Sequence, residues 1–569
     1  MEAADIEWEL EEGIPQVDDP FIQQYLKGRD SLILEEQKQR HDSNLRKTLT
    51  PIAATACKIV SKVRDRGLTS IGSTTLNDDS HTSEALGPSE MLHQARDRMK
   101  NTELWKILQK MPKGSLLHAH MDTMLDADFI VNQAFTTAGI HICAPSALVT
   151  QKDFEEAPFF FQYSSRSTES ENEPPLWTSN YKPQTLIPLQ KAASSFPNGS
   201  EAGFRNWLTS RCIVIPEISG RHQNCRANKI WDVYTRAMTV INSLLSYEPI
   251  LRSCLRHMFS QFATDGIRYV ELRNVFLFPY RRTGSETPEE SYSEWCSVFQ
   301  DELESFKNTE EGKAFYGARV IWTSARILSN KDMAESMMNC ILAKKDFPDV
   351  ICGFDIVGQD YRTRRLGDFV PIMFWFRKLC VEEGVDIPFL FHATECQLYG
   401  VPSSHSLFDA VLLGTRRIGD GMLLHDHPLL TELVKEKRIL LERCPISSGS
   451  RELANSIGCP SLGSLLSRGV PVSLSNDVFG YGWNGLTPEL WHALQGPEAL
   501  EVTDIAMMIE NSVRWSCYED QSTAEWLSGI REGVLGKGVK ANRLREWYAD
   551  FQRFCEWIAL EYAELDVDD

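Results

Sequence analysis

"MPKGSLLHAHMD", Met111 to Asp122, ends an apolar run with two histidines one residue apart. Successive side chains of a β-strand point to opposite faces, so His118 and His120 share one face while Leu117 and Ala119 take the other. This run is the first of eight: Ser115–His120, Ile267–Arg273, Gly317–Ser324, Val350–Ile356, Pro388–Thr394, Arg417–Gly421, Arg438–Cys444 and Pro471–Asp477. Long helical patterns separate them. Strands alternating with helices imply a parallel sheet, and eight of them predict an α/β fold of the closed (β/α)8 TIM barrel type. In such barrels the functional site gathers at the C-terminal ends of the strands.

Those ends carry chemistry. The fifth run closes as "FLFHATE", with His392 at its end and Glu395 three residues on. The eighth reads "PVSLSND". Alternation sends Val472 and Leu474 toward the helices and Ser473, Ser475 and Asp477 inward, which favours Asp477 over Asn476 as the inward group. Each feature alone has an ordinary explanation, such as a core histidine or a capping aspartate. Together they place three imidazoles and one carboxylate at the ends of strands one, five and eight. That is an N3O donor set suited to a single Zn2+ with room left for water.

The rest of the chain narrows the class. Its 569 residues are 42% hydrophobic and 24% charged, with a formal net charge of -20. So acidic a surface repels phosphate backbones, and no basic patch interrupts it, so nucleic acid is excluded as a partner and a small-molecule substrate is expected. No run of about eighteen apolar residues predicts a membrane span. The acidic start, "MEAADIEWELEEGIPQVDDP", lacks the apolar core of a signal peptide. The fourteen cysteines form no C-x-x-C pair and read as reduced core thiols of a cytoplasmic protein.

Asp19-Pro20 opens a helix expected to run to about His41, followed by a second over Leu45–Arg66. Ser73–Glu90 reads as a linker, and a helix over Met91–Lys110 leads into the first histidine motif. The chain thus divides into an N-terminal helical extension and linker (1–95) and a barrel (96–569). An insertion after strand one spans about 122–230, and its stretch Gln151–Ser200 is expected to be irregular. "GYGWNG", Gly480 to Gly485, matches a dinucleotide-loop pattern. Too little chain follows for the βαβ unit such a loop serves, so it reads as a loop at the barrel mouth.

The ordered series "MPKGSLLHAHMD", "DGIRYVELR", "CGFDIVGQD", "FHATE", "RIGDG", "CPISS" and "PVSLSND" resembles the adenosine deaminase family. "FIQQYLKGRDSLILEEQKQRHD" and the long insertion resemble its adenosine deaminase-related growth factor branch. The resemblance spans about Phe21 to Trp557. It implies a one-zinc barrel that hydrolytically deaminates adenosine or a related purine nucleoside or amine, releasing ammonia. It implies His118, His120, His392 and Asp477 as metal ligands and Glu395 as proton donor to the ring nitrogen. It also implies backbone contact of Gly358 with the purine, contact of Asp122 with the ribose end, and a homodimer through the N-terminal helices.

Two positions depart from the family pattern. Asp420 stands where the family has the histidine that holds the attacking water, and is open to three roles: base, metal ligand or loss of function. Val478 stands where the family has a second aspartate. That leaves open an alternative register, with Asn476 on the metal and Asp477 on the purine. His425 could swing in for the missing imidazole, with a surface histidine as the default, and His427 reads as structural. Three functional readings follow: a zinc deaminase of adenosine or a relative, a zinc hydrolase of another amine or amide, or a non-catalytic ligand-binding descendant.

Overall fold

The computed structural model describes residue 8 and residues 12–76, 98–165, 173–213, 223–358, 363–393, 405–446, 462–477, 485–495 and 500–565. In chain order the strands are β1 (Ser115–His120), β2 (Ile140–Cys143), β3 (Phe160–Tyr163), β4 (Ile187–Pro188), β5 (Tyr269–Val275), β6 (Gly317–Ala325), β7 (Ile351–Val357), β8 (His392–Ala393), β9 (Arg417–Asp420), β10 (Leu440–Arg443) and β11 (Val472–Leu474). Parallel ladders join β1-β5-β6-β7 and β8-β9-β10-β11. A parallel bridge between Phe354 and Phe389 links the two halves, with Leu390 N donating to Phe354 O at 3.0 Å. The order in space is therefore the order in sequence, with helices crossing over between strands, as right-handed βαβ units require.

One side chain demonstrates that the sheet wraps round. Arg273 of β5 donates to Leu117 O on β1 at 3.0 Å, to Asp355 on β7 at 2.8 Å, to Leu390 O beside β8 at 3.2 Å and to Glu442 on β10 at 2.8 Å. Reaching strands of both halves from one guanidinium requires a closed interior. Among the described residues no ladder joins β11 to β1. The helix Val502–Arg514 spans that seam instead: Asn511 Nδ2 donates to Val472 O at 3.0 Å, and Ser512 Oγ accepts from Ser115 N at 3.0 Å. The fold is a (β/α)8 barrel.

The eight expected runs coincide with the eight barrel strands to within a few residues. The side-chain alternation on β1 departs from expectation at one residue. Between Leu116 and Ala119, β1 advances three residues while β5 advances two, which is a bulge. Leu117 consequently joins Ile321, Cys352, Leu390 and Leu440 inside the barrel rather than facing the helices with Ala119. The bulge puts Leu117 and His118 on the same side of the strand.

The N-terminal extension also differs in detail. Asp19 caps the first helix, Pro20–Gln39, accepting from Phe21 N at 2.7 Å. The expected second helix is two, Ser43–Thr48 and Pro51–Leu76. Pro51 has no N–H to continue the first and restricts Thr50 before it. Pro51–Leu76 runs into the expected linker, whose later residues 77–90 lie outside the described ones. Ala53, Ala56, Ile59, Val60 and Val63 bury one helical stripe against the C-terminal helix Val539–Glu561. Of the helix expected over Met91–Lys110, residues 91–97 lie outside the described ones and 98–100 are helical. A new helix, Glu103–Lys110, starts at Thr102, which caps it by accepting from Trp105 N at 3.2 Å.

The insertion is not irregular. β3-β2-β4 form an antiparallel sheet, and short helices at Gln151–Glu156, Leu189–Ser194 and Ser200–Arg211 close around Phe154, Trp177, Phe196, Phe204 and Trp207. These aromatic residues are too unevenly spaced to give a period, so their packing is visible only in three dimensions.

Candidate metal centre

His118 and His120 leave β1 on its inward face and meet His392 at the start of β8. The ring centroids are 5.4 Å (His118–His120), 4.6 Å (His118–His392) and 5.1 Å (His120–His392) apart. His120 Nε2 and His392 Nε2 lie 3.2 Å from each other. One ligand-capable nitrogen from each of the three rings falls within 4.8 Å of the others. The remaining ring nitrogens of two of them are held by buried carboxylates: His118 Nδ1 lies 2.9 Å from Glu442 Oε2, and His392 Nδ1 lies 2.5 Å from Asp355 Oδ2. A carboxylate can only accept, so each fixes the tautomer with Nδ1 protonated and turns an Nε2 lone pair into the site. Burial, then the neighbouring His392 and His118, hold His120 well below the usual histidine range and thus neutral. Lone pairs of neutral imidazoles crowded together repel unless an acceptor lies between them. The donor set therefore fits a divalent cation such as zinc.

Beneath the imidazoles lies a buried charge lattice. Arg273 ties Asp355 to Glu442, and Arg417 ties Glu442 to Glu271 with contacts of 2.5 Å each; the side chains in these pairs have no exposed surface. Burial pushes the Asp355 carboxyl up, but His392 and Arg273 beside it outweigh that and hold it well below the usual carboxylate range. Burial likewise raises Glu442, and Arg273 and Arg417 more than reverse it. Both carboxylates therefore stay ionised as acceptors for the histidines.

Gly419 supplies the space. A Cβ there would sit 2.7 Å from His118 Cε1 and 3.4 Å from His392 Cδ2. Gly419→Ala is expected to push His118 off its position and lower metal affinity by about 10–100-fold, the cost of disturbing ligand orientation. Competition against a chelating dye measures this, and an unchanged affinity would contradict it.

The other expected site residues fall around this cluster. Asp477 follows β11 and is not among the groups within 4.8 Å of all three imidazoles. Its charge acts on two buried acids. Asp122 is pushed up to about 7 by burial first and, among smaller effects, by Asp477, against a lowering hydrogen bond from Asn242 at 2.7 Å. Glu489 is pushed up to about 8 by burial and then Asp477, against the N–H of Ile446. Asn476 is buried and donates from Nδ2 to Glu489 Oε1 at 3.3 Å, on the helix Thr487–Gln495. Gly358 ends β7 at φ +140°, with Arg326 Cβ 3.2 Å from where its own Cβ would be. Arg326 in turn donates to His392 O at 2.9 Å. Glu395 and Val478 lie outside the described residues, as does most of Gly480–Gly485.

Asp420 has a partner that sequence reading did not supply. It sits in the left-handed region at φ +73°, and Arg443 at the end of β10 bonds its carboxylate and donates to its carbonyl at 3.2 Å. His425 is not a surface histidine: its side chain is 9% exposed and its Nε2 lies 3.1 Å from Asp426 Oδ1. His427 packs edge-on against Phe408. Glu442, Asp355, Asn242 and Arg443 are the site residues that sequence reading missed. Both of the first two sit on barrel strands; Asp355 is a lone charge amid apolar residues, which is a visible signal, whereas Glu442 is followed directly by Arg443.

Comparison with known proteins identifies the family. The adenosine deaminase family model matches residues 216–533, more than half of the chain. Adenosine deaminase 2 of Sus scrofa is 26% identical over 438 residues, covering 76% of this chain and 80% of that one. Adenosine deaminase 2 of Dictyostelium discoideum is 25% identical over 509 residues, 88% of this chain and 84% of that one. Among solved structures, an adenine deaminase from Arthrobacter aurescens overlays with a TM-score of 0.46 at 14% identity, over 77% of this chain and 99% of that chain. The family match begins beyond the first histidine pair, yet the fold brings that pair onto His392 inside the matched region. With a barrel of the expected order and the motif series at its strand ends, the chain belongs to the adenosine deaminase family, on the branch of the adenosine deaminase-related growth factors.

Proposed function

We propose that the protein is a zinc-dependent hydrolytic deaminase of adenosine or a closely related purine nucleoside. The observation that carries this reading is the convergence of three imidazoles whose outer nitrogens are fixed by Glu442 and Asp355. In this reading His118, His120 and His392 hold the ion, with Asp477 as the fourth ligand. Zinc supplies Lewis acidity and a lowered pKa for the attacking water. Glu395 carries the proton to the ring nitrogen, the Gly358 backbone meets the base, and Asp122, steadied by Asn242, meets the ribose end.

Asp420 is not the base in this account. Its carboxylate is engaged by Arg443, so the pair presents a fixed dipole where the family has an imidazole. That pair favours a second reading, in which the same metal centre deaminates a different amine. Purified full-length protein, assayed for zinc by mass spectrometry and for inosine formed from adenosine by ultraviolet absorbance, separates the readings. One zinc per chain with inosine supports the first. Zinc without inosine supports the second, and neither would leave only a non-catalytic descendant.

A homodimer through the N-terminal helices is part of the proposal. The helix Pro20–Gln39 buries none of its residues within the chain, and Phe21, Tyr25 and Leu32 are 74%, 65% and 71% exposed. Burying such side chains is worth about 1.5–3 kcal/mol each. Light scattering is expected to give a dimer that Phe21→Glu with Leu32→Glu converts to monomer; a monomeric wild type would contradict it. No described helix is long and apolar enough to cross a membrane. Among the described residues ten cysteines other than Cys444 are free thiols, nine of them buried, which supports a reducing compartment.

A further inference from the structure

A second cavity, of about 440 Å³, opens at the opposite end of the barrel. Arg438 lines it just before β10, and Gly469 and Pro471 just before β11, so it lies at the N-terminal ends of the strands. The imidazoles lie at the C-terminal ends, and the reacting substrate cannot occupy both places. Arg514, Arg531, Lys435 and Tyr548 are among the polar residues of its wall.

Two of these cations are already matched. Arg514 donates to Glu510 at 3.0 Å and to Ile530 O at 2.7 Å, and Lys435 to Glu432 at 3.0 Å. Asp504, on the helix behind, is taken by His41 at 3.0 Å and by Arg40 at 3.2 Å. The guanidiniums of Arg438 and Arg531 have no hydrogen-bond or ion-pair partner among the described residues. Burial, then the charges of Arg531 and Arg514, lower the proton affinity of Arg438, so the neighbouring guanidiniums bear on one another here. Arg438 is also held at φ +55°, in the position after the helix Pro428–Glu436 where glycine is favoured. Trp515 Nε1 fixes its carbonyl at 2.8 Å. A strained backbone presenting an unmatched cation to a cavity is a feature of ligand sites.

We propose that this cavity binds a small soluble phosphate-bearing anion, clamped by Arg438 and Arg531, at a site separate from the metal centre. Two guanidiniums match the charge of a phosphate dianion and can each donate in bidentate fashion. The volume lies in the range of small-molecule pockets, about 300–1,000 Å³.

The test is thermal denaturation of the full-length protein against inorganic phosphate, with ionic strength held constant by potassium chloride. A saturable rise of about 2 °C or more is expected, because a ligand bound only to the folded state raises its melting temperature. General salting effects rise without saturating. The double variant Arg438→Gly with Arg531→Gln should lose the saturable rise. Glycine relieves the left-handed backbone, so its melting temperature without phosphate should be at least that of the wild type. A wild type without saturable response, or a double variant that keeps it, would overturn the proposal.

Discussion

His392→Ala is expected to empty the metal centre and to lower deamination by on the order of a thousandfold or more. A metal acting as Lewis acid contributes several kcal/mol to the transition state, and about 1.4 kcal/mol is a factor of ten. His392 is the only one of the three imidazoles from the second half of the barrel, so its loss leaves two imidazoles on one strand and the proposed fourth ligand, Asp477. The fold should survive. Its Nδ1 partner, Asp355, keeps Arg273 at 2.8 Å and so retains a charge partner. Metal content and turnover measured on the same preparation check this, with circular dichroism to confirm folding. A variant that keeps one zinc per chain and wild-type turnover would remove His392 from the centre.

Arg273→Ala should have the largest effect on stability, about 3–5 kcal/mol, read as a fall of about 3–4 °C in melting temperature for a chain of this length. The guanidinium has no exposed surface and satisfies two carboxylates and two carbonyls on four elements. Removing it leaves Asp355 with only His392 beside it and Glu442 with only Arg417 and His118, where water cannot reach them. Both carboxylates orient metal-site histidines, so zinc affinity should fall along with stability. Arg273→Lys should lie between, since one ammonium cannot copy a planar fork that donates in four directions. Wild-type melting behaviour for Arg273→Ala would mean that the lattice does not carry the interior of the barrel.

Much of this was readable in order along the chain. The eight apolar runs gave the strands because a parallel strand covered on both faces is nearly continuous in Val, Ile and Leu. The His118–His120 pair was legible because its spacing survives the strand period. Leu117 was not, because a bulge breaks that period and nothing local announces it. The Asp420–Arg443 pair joins residues 23 positions apart on adjacent strands, a contact set by register rather than by spacing. Asn242 reaches Asp122 across 120 positions from the helix Gln223–Leu245, beyond the expected end of the insertion. The small sheet of the insertion escaped notice because its strands are short and their patterning gave no steady alternation. Local pattern thus revealed the scaffold and the ligands, while the groups that hold the ligands in place depend on tertiary contact.

The most direct measurement is crystallographic: anomalous scattering at the zinc absorption edge from the purified protein. One peak is expected among His118, His120 and His392, about 2.0–2.1 Å from each Nε2. Glu442 and Asp355 should remain on the outer nitrogens. Rings that stay clustered with no peak between them, or an ion bound through Nδ1 with those carboxylates displaced, would contradict the account.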